Sequence, residues 1–278
     1  MCRAKFKQMK FSNIQWTDST INFWSGCKKV SEGCKFCYMY RIKEKNNEKG
    51  SVIYRTSDKT FYQAMDWEEP RMIFTCSMSD FFLEEADKWR DEAWKVIRYT
   101  KQHKWLILTK RPERILANLP EDWGEGWDNV WLGVTVENQE CFKRAAILSK
   151  IPAKIRFISA EPLLEEIDFL EKIDGEQVIN SFRWILLGSE TGNDFGNYKY
   201  RPSELAWFER AIDDLRSVPN MAVFVKQMGS HLKKIMNLKH YHGGDITEWP
   251  ENLQIREYPD LENGSVTIYP PTATTAKY

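Results

Sequence analysis

The sequence predicts an α/β fold in which helices cover a parallel sheet that is either open or curled into a barrel. Six short apolar runs, rich in β-branched and aromatic residues, recur along the chain; they span residues 72–76, 105–109, 130–136, 155–159, 184–188 and 221–225. Continuous apolar runs of this length are typical of strands buried on both faces. Segments 84–101, 138–149 and 203–215 have apolar residues at helical spacing between these runs. Strand–helix alternation repeated this often indicates an α/β fold.

Polar side chains follow each predicted strand, where parallel strands present their carboxyl ends to a ligand. Helix capping explains only a few of them, because long charged side chains are not preferred N-caps. The sequence therefore predicts a polar site along this edge of the sheet. Its candidate residues are Ser79, Asp80, Lys110, Thr135, Glu137, Ser159, Glu161, Glu190 and Lys226.

Three cysteines, Cys27, Cys34 and Cys37, stand close together on a Gly-containing stretch that leaves no room for an α-helix between the first two. Three thiolates brought to one point suit a zinc ion or an iron–sulfur cluster. Structural zinc requires four protein ligands, and the sequence offers no second Cys-x-x-Cys or nearby histidine. Three ligands on a four-iron cluster leave one iron open, so the odd ligand count favours chemistry over a structural role.

The composition of the chain argues against several other classes of protein. Six cysteines in 278 residues are too few for a disulfide framework, and the first residues contain no apolar signal-peptide core. No segment approaches the roughly 20 apolar residues of a membrane span, so we expect a cytoplasmic protein without a membrane partner. Forty basic and forty acidic residues give no overall electrostatic signature for nucleic acid. We expect one domain over residues 11–258 and a loosely held C-terminal arm over residues 259–278.

The motifs carry a resemblance to a known family. Residues 34–37 resemble the second half of the radical S-adenosylmethionine (SAM) cysteine motif, in which an aromatic residue, here Phe36, precedes the last cysteine. Eight segments, in order, resemble a phage- and mobile-element-associated family called the three-Cys-motif proteins: 14–18, 26–38, 77–82, 108–114, 130–134, 156–164, 188–192 and 225–227. The resemblance covers residues 11–259. It departs from the commonest radical SAM pattern in one respect, since six residues separate Cys27 from Cys34.

This resemblance implies a partial (β/α) barrel of the radical SAM type, with parallel strands inside and helices outside. It also implies a [4Fe–4S] cluster on the three cysteines and SAM on the open iron. The SAM would be cleaved to a 5′-deoxyadenosyl radical that abstracts hydrogen from the substrate, with an electron donor such as flavodoxin or ferredoxin. By position, Ser79 and Asp80 resemble the segment that receives the SAM amino group, and Phe36 would lie near the adenine. Candidates for the SAM carboxylate, the ribose hydroxyls and the substrate are Lys110, Thr135, Glu137, Ser159, Glu161 and Glu190.

The substrate and a second function remain open in the sequence. Seven Lys and Arg residues against three acidic residues lie between residues 27 and 50, a local excess that favours an anionic substrate such as a nucleotide or nucleic acid. The alternative function is a non-catalytic, zinc-stabilised module that binds nucleic acid. Cys76 and Cys141 are expected to be buried packing thiols. His231, His240 and His242 are read as surface histidines, with a second metal site as the alternative.

Overall fold

The computed structural model describes residues 12–260 together with the strand Val266–Ile268. Seven strands of this part form one sheet: β1 (Ser19–Ile21), β2 (Met72–Thr75), β3 (Lys104–Thr109), β4 (Val130–Thr135), β5 (Ile155–Ala160), β6 (Trp184–Gly188) and β7 (Ala222–Gln227). Every neighbouring pair is parallel, and the strands follow one another in the sheet in chain order. Right-handed connections between successive parallel strands all cross the same face, so the sheet curls and its helices collect outside.

Helices surround this curled sheet: α1 (Tyr38–Lys45), α2 (Asp58–Phe61), α3 (Asp87–Tyr99), α4 (Lys143–Ser149), α5 (Leu205–Arg216) and α6 (Gly229–Ile235). α3 shows why such segments are helical and where they pack. Its Ala93, Val96 and Ile97 form a buried stripe, with Asp87 in the first turn and Arg98 in the last, as the helix dipole favours. The result is a half-barrel with helices around it, which confirms the predicted fold class.

The six predicted apolar runs correspond to β2–β7, and the three predicted helical segments correspond to α3, α4 and α5, of which α5 ends one residue beyond its predicted segment. β1 has no counterpart among the predicted strands. It is three residues long and begins Ser19-Thr20, so it lacks a continuous apolar run. Its place in the sheet comes from parallel pairing with β2, in which Ser19 lies opposite Ile73.

The inner face of the half-barrel changes in character along its strands. Alternate side chains point inward, since successive residues of a strand face opposite sides. Along each strand, the inward side chains are bulky at the amino end and small or polar at the carboxyl end. From the amino end they are Trp131, Gly133 and Thr135 of β4; Phe157 and Ser159 of β5, then Glu161; and Trp184, Leu186 and Gly188 of β6, then Glu190. The aromatic rings, with Trp16 and Phe74, form a buried inner cluster. Gly133 leaves the space that the Phe157 ring occupies, because a Cβ there would lie 2.3 Å from it. The amino half of the barrel is therefore a packed floor, and polar side chains stand above it.

The predicted C-terminal arm is described only in part. Glu257–Pro259 pairs antiparallel with Val266–Ile268, whereas residues 261–265 and 269–278 lie outside the described part. Two further two-stranded sheets, Trp24–Ser25 with Tyr54–Arg55 and Lys172–Ile173 with Glu176–Gln177, flank the barrel. Among the described helices, none has the length and apolar character needed to cross a membrane.

Candidate active site

A cavity of about 230 Å³ lies at the carboxyl ends of the strands. The cysteine loop (residues 26–38) forms one wall, and the segments that follow the strands form the other. The lining includes eleven of the candidate site residues named from the sequence: Cys27, Cys34, Phe36, Cys37, Ser79, Asp80, Lys110, Thr135, Glu161, Glu190 and Lys226. Glu137 and Ser159 stand behind this lining, and a direct ligand contact of these two stays a prediction.

The cysteine loop enters the site through a tightly enclosed glycine. Gly26 has φ +90°, and a Cβ on it would lie 2.1 Å from the Val52 carbonyl oxygen. Its N–H donates to the Met78 carbonyl (3.0 Å), and its carbonyl accepts from the Ser79 hydroxyl (2.5 Å). Only glycine satisfies both the positive φ and the close approach. Cys27 is thereby placed directly against the segment that follows β2.

The three predicted ligand cysteines reach the cavity from different local structures. Cys34 ends a single 3₁₀ turn, Glu32–Cys34, so the stretch between the first two thiols is not entirely extended. Cys37 is the N-cap residue of α1. Burial, reinforced by the charge of Asp80, raises the pKa of the Cys27 thiol to about 12, and burial also raises the pKa of Cys37. Iron or zinc bound here would have to displace these protons.

The described cysteines all carry free thiols. Within residues 12–260, no three His, Cys, Asp or Glu side chains are grouped closely enough to hold a single metal ion. Cys76, predicted to be a packing thiol, is buried as expected but also lines the cavity. Cys141 is buried behind it, outside the lining.

Asp80 organises the ends of β2 and β3. Its carboxylate accepts hydrogen bonds from the Thr109 hydroxyl (2.6 Å), the Lys110 backbone N–H (3.0 Å) and the Phe82 backbone N–H (2.9 Å). It also pairs with the Arg111 guanidinium at 2.8 Å. With four internal donors, Asp80 has little accepting capacity left for a ligand amino group. Its evident structural role is to position Arg111, whose other nitrogen donates to a cysteine-loop carbonyl, that of Lys28, at 2.8 Å.

Glu137 joins the cysteine loop to the barrel. Its side chain is fully buried and accepts from the Ser31 hydroxyl, from Lys110 at 3.3 Å and from Arg144 at 2.7 Å. Gly33 packs directly against it, since a Cβ on that glycine would lie 2.8 Å from a Glu137 oxygen. Burial alone would raise the pKa of Glu137, but the charges of Lys110 and Arg144 hold it below its usual value. Glu137 is therefore an ionised support of the loop.

Glu190 is held by Arg201, a residue that the sequence pattern did not indicate. Arg201 donates to both carboxylate oxygens of Glu190, at 2.5 and 2.9 Å. The same guanidinium donates to the Glu32 carbonyl (3.0 Å) and lies 5.3 Å from the centre of the Phe36 ring. Arg201 thus links the end of β6 to the cysteine loop and supports Phe36. No sequence signal identified it, because it lies 11 residues beyond its partner in an irregular loop.

Two buried polar atoms of the cavity wall have no hydrogen-bond partner among the described residues. One is Glu161 Oε1, and the other is the Ser189 hydroxyl. Lys226 Nζ lies 2.9 Å from Glu161 Oε1 as an ion pair without hydrogen-bond geometry. The second oxygen, Oε2, accepts from the Ser159 hydroxyl at 3.3 Å, which explains why Ser159 is directed to Glu161 and does not line the cavity. Buried polar groups are normally satisfied, so the Ser189 hydroxyl requires a polar partner from a ligand or water, whereas Glu161 Oε1 already has the ammonium group of Lys226 beside it.

The basic excess of residues 27–50 is smaller than the sequence suggested. Lys28 forms an ion pair with Glu85, and Lys43 is buried against Glu48 (2.6 Å) and the Tyr54 hydroxyl. Lys43 is therefore not available as an exposed positive charge for a substrate, whereas the paired Lys28 side chain stays 61% exposed and lines the cavity.

Comparison with solved structures finds two mutants of spore photoproduct lyase. The first, with bound AdoMet and dinucleoside spore photoproduct, is 12% identical with a TM-score of 0.41, over 77% of this chain and 65% of that chain. The second is 12% identical with a TM-score of 0.39, over 76% of this chain and 65% of that chain. The chain thus spans slightly less than two thirds of either structure. No curated protein matches it. Residues 11–252 match the family described as Protein of unknown function (DUF5131), and the chain belongs to that family.

Proposed function

We propose that the protein is a radical SAM enzyme that holds a [4Fe–4S] cluster on Cys27, Cys34 and Cys37 and binds SAM beside it. The observation that carries this proposal is the shared cavity. Three thiols of one loop and polar side chains from several strand ends line the same space at the carboxyl edge of a parallel half-barrel. This is the edge at which α/β barrels bind their ligands.

The donor set fits a cluster better than a single ion. A tetrahedral zinc site needs four ligands at one point, whereas a cluster attaches each thiolate to a different iron and accepts a wider spacing. The three thiols line the cavity without forming a compact single-ion group within residues 12–260. Cys76 also faces the cavity, but it directly follows β2 and lies outside the loop that carries the other three thiols.

The cavity wall also offers partners for SAM. The Ser189 hydroxyl has no hydrogen-bond partner among the described residues and suits a ribose hydroxyl, and Glu161 Oε1, which is paired with Lys226, can also accept from an ammonium group. Lys110 has three donors and gives one to Glu137, so it can also meet a carboxylate. Phe36, held by Arg201, offers a ring face for adenine. Asp80 takes the positioning role described above.

Cys27, Cys34 and Cys37 would hold the cluster, which would supply the one electron needed to cleave SAM into methionine and the 5′-deoxyadenosyl radical that abstracts hydrogen from the substrate. The chain's own residues orient the reactants and keep water out. The aromatic floor closes the cavity from below, and Glu137 and Arg201 hold the cysteine loop over it. The substrate is proposed to be anionic, with a nucleotide or nucleic acid favoured by the mobile-element association of the resembling family, an argument from analogy.

The test is anaerobic reconstitution with iron and sulfide, followed by reaction with dithionite and SAM. We expect a brown protein with about four irons, an electron paramagnetic resonance signal of a reduced cluster, and release of 5′-deoxyadenosine. Alanine at any one of Cys27, Cys34 or Cys37 should abolish the signal, whereas Cys76→Ala and Cys141→Ala, the matched controls, should keep it. A colourless protein with stoichiometric zinc would contradict the proposal and support the zinc-stabilised module. SAM turnover that yields only S-adenosylhomocysteine would contradict the radical reaction.

A further inference from the structure

A second cavity, of about 350 Å³, adjoins the first. The two share one stretch of chain, because Glu190 and Thr191 line the first cavity and Gly192 and Asn193 line the second. Its other walls come from α1, α6 and the turn at residues 241–242. Residues 190–193 therefore run from the wall of the first cavity to the wall of the second.

The charge of this second cavity is positive. Arg41 from α1 and Lys233 and Lys234 from α6 line it. The one carboxylate in the lining, Asp194, is already bonded to Lys234 (2.6 Å) and to a tyrosine hydroxyl (2.6 Å). In the described part of the chain, neither the Arg41 nor the Lys233 side chain has a hydrogen-bond or ion-pair partner. Two cations thus face the cavity without a counter-charge.

The pKa of His242 is affected by the same uncompensated positive charge. It lines the cavity with φ +64°, a conformation uncommon for a residue other than glycine. Burial lowers the pKa of His242, and the nearby positive charges of Arg41 and Lys226 lower it further, to about 4. A neutral imidazole at physiological pH can donate a hydrogen bond to an anion without adding to the positive charge. The histidines do not form a metal site in the described residues.

An exposed aromatic side chain lines the cavity together with the cations. Tyr241 is 65% exposed, and Phe195, which follows the lining residue Asp194 in the chain, is 83% exposed. Cations that follow a phosphate backbone, interleaved with aromatic rings on which bases stack, are the usual features of a single-strand binding surface. An acidic peptide or a small acid would use the cations but would not need the exposed rings.

We propose that the second cavity is a phosphate-binding site for the substrate, with Arg41 and Lys233 as its principal contacts. The phosphate belongs to a nucleotide or to a nucleic-acid strand whose reacting part lies in the first cavity. This inference names the class of substrate. Its placement of the reacting part of the substrate in the first cavity rests on the proposed function. Phosphate binding itself requires neither the cluster nor SAM.

The test is binding to the full-length protein before and after cluster reconstitution. Fluorescence anisotropy would follow a labelled single-stranded oligothymidylate at two salt concentrations. Arg41→Gln/Lys233→Gln should weaken binding by about tenfold, and the slope of log affinity against log salt should fall by roughly 0.7 for each phosphate that is no longer neutralised. Lys95→Gln/Lys101→Gln is the matched control, because it removes two exposed lysines of the connection between β2 and β3, and neither of them lines the second cavity.

Competition separates the two sources of phosphate. Displacement of the oligonucleotide by thymidine 5′-monophosphate but not by thymidine would indicate a nucleotide site, and displacement only by unlabelled strands would indicate a strand site. Either result supports the proposal. Arg41→Lys/Lys233→Arg should retain binding if charge is what matters and the fold is intact. Equal affinity in the two glutamine double variants, or equal competition by thymidine and its monophosphate, would overturn it. Because binding is read without SAM, a negative result here is distinguishable from failure of the radical reaction.

Discussion

Replacing Glu137 by Gln tests how the cysteine loop is held against the barrel. Glu137 has no exposed surface and contacts three parts of the molecule: Ser31 of the loop, Lys110 after β3, and Arg144 on α4. Gln has nearly the same volume and keeps one acceptor oxygen. The substitution therefore removes the negative charge while leaving the packing almost unchanged.

The expected loss of stability comes from the cations that remain. The Arg144 and Lys110 side chains are only 10% and 18% exposed, so removing the carboxylate leaves two largely buried charges without a partner. Breaking a buried ion pair from one side costs about 3–5 kcal/mol. Because the amide still accepts a hydrogen bond, we expect a value near the lower end, about 3 kcal/mol. For a chain of this size, that corresponds to a decrease in Tm of roughly 6–10 °C.

Thermal unfolding and urea titration of the unreconstituted protein would measure this loss. The matched control is Glu140→Gln, because Glu140 is 80% exposed and its pair with Lys143 should contribute less than about 1 kcal/mol. We also expect Glu137→Gln to retain less iron after reconstitution, since Ser31 and Gly33 lose their fixed support. If the two variants lose equal stability, Glu137 is not an ionised support of the loop and the reasoning is wrong.

Two further predictions concern positions away from the thiols. Gly26→Ala should destabilise the protein by about 2 kcal/mol or more in a urea titration, because the new Cβ adds backbone strain at φ +90° and a contact of 2.1 Å with the Val52 carbonyl oxygen. Gly175→Ala is the control, because Gly175 has φ +82° but no atom near the position of a Cβ, so this variant should show the backbone strain alone. An equal loss in the two variants would argue against the contact. Burial lowers the pKa of His103 in the folded protein, so the unfolded chain binds the proton more readily. The contribution of His103 to the free energy of unfolding is therefore fully present above about pH 6.5, and below that pH it falls by up to about 1.4 kcal/mol per pH unit. His103→Gln should flatten this dependence between pH 7 and 5, and an unchanged slope would show that other groups cause it.

The local pattern of the chain was sufficient to predict most of the sheet. β2–β7 are apolar runs whose burial does not depend on a particular neighbour, so their composition alone identifies them. β1 was missed because Ser19-Thr20-Ile21 has no such pattern, and only pairing with β2 makes it a strand. The sequence likewise predicted that the polar residues after the strands lie at one edge of the sheet, and Asp80, Lys110, Glu161 and Glu190 all line one cavity.

The roles of those residues were not predictable in the same way. Asp80 was expected to meet a ligand, but its carboxylate is bonded to Thr109, Lys110 and Arg111. Glu137 was expected at the cavity surface and lies behind it. Whether a charged side chain faces a ligand or an internal partner depends on which segments become neighbours, and residue spacing carries no such information.

The sequence by itself determined the strand–helix alternation, the edge on which polar side chains gather, and the cysteine spacing, because each depends on the local periodicity of the backbone. Only the tertiary structure decided which charges are neutralised. The Glu190–Arg201 pair forms through an irregular loop, and Lys28 meets Glu85 across 57 positions of sequence. The positive second cavity arises in the same way. Arg41 and Lys233 come from helices nearly two hundred positions apart, and only the folded chain places them in one cavity.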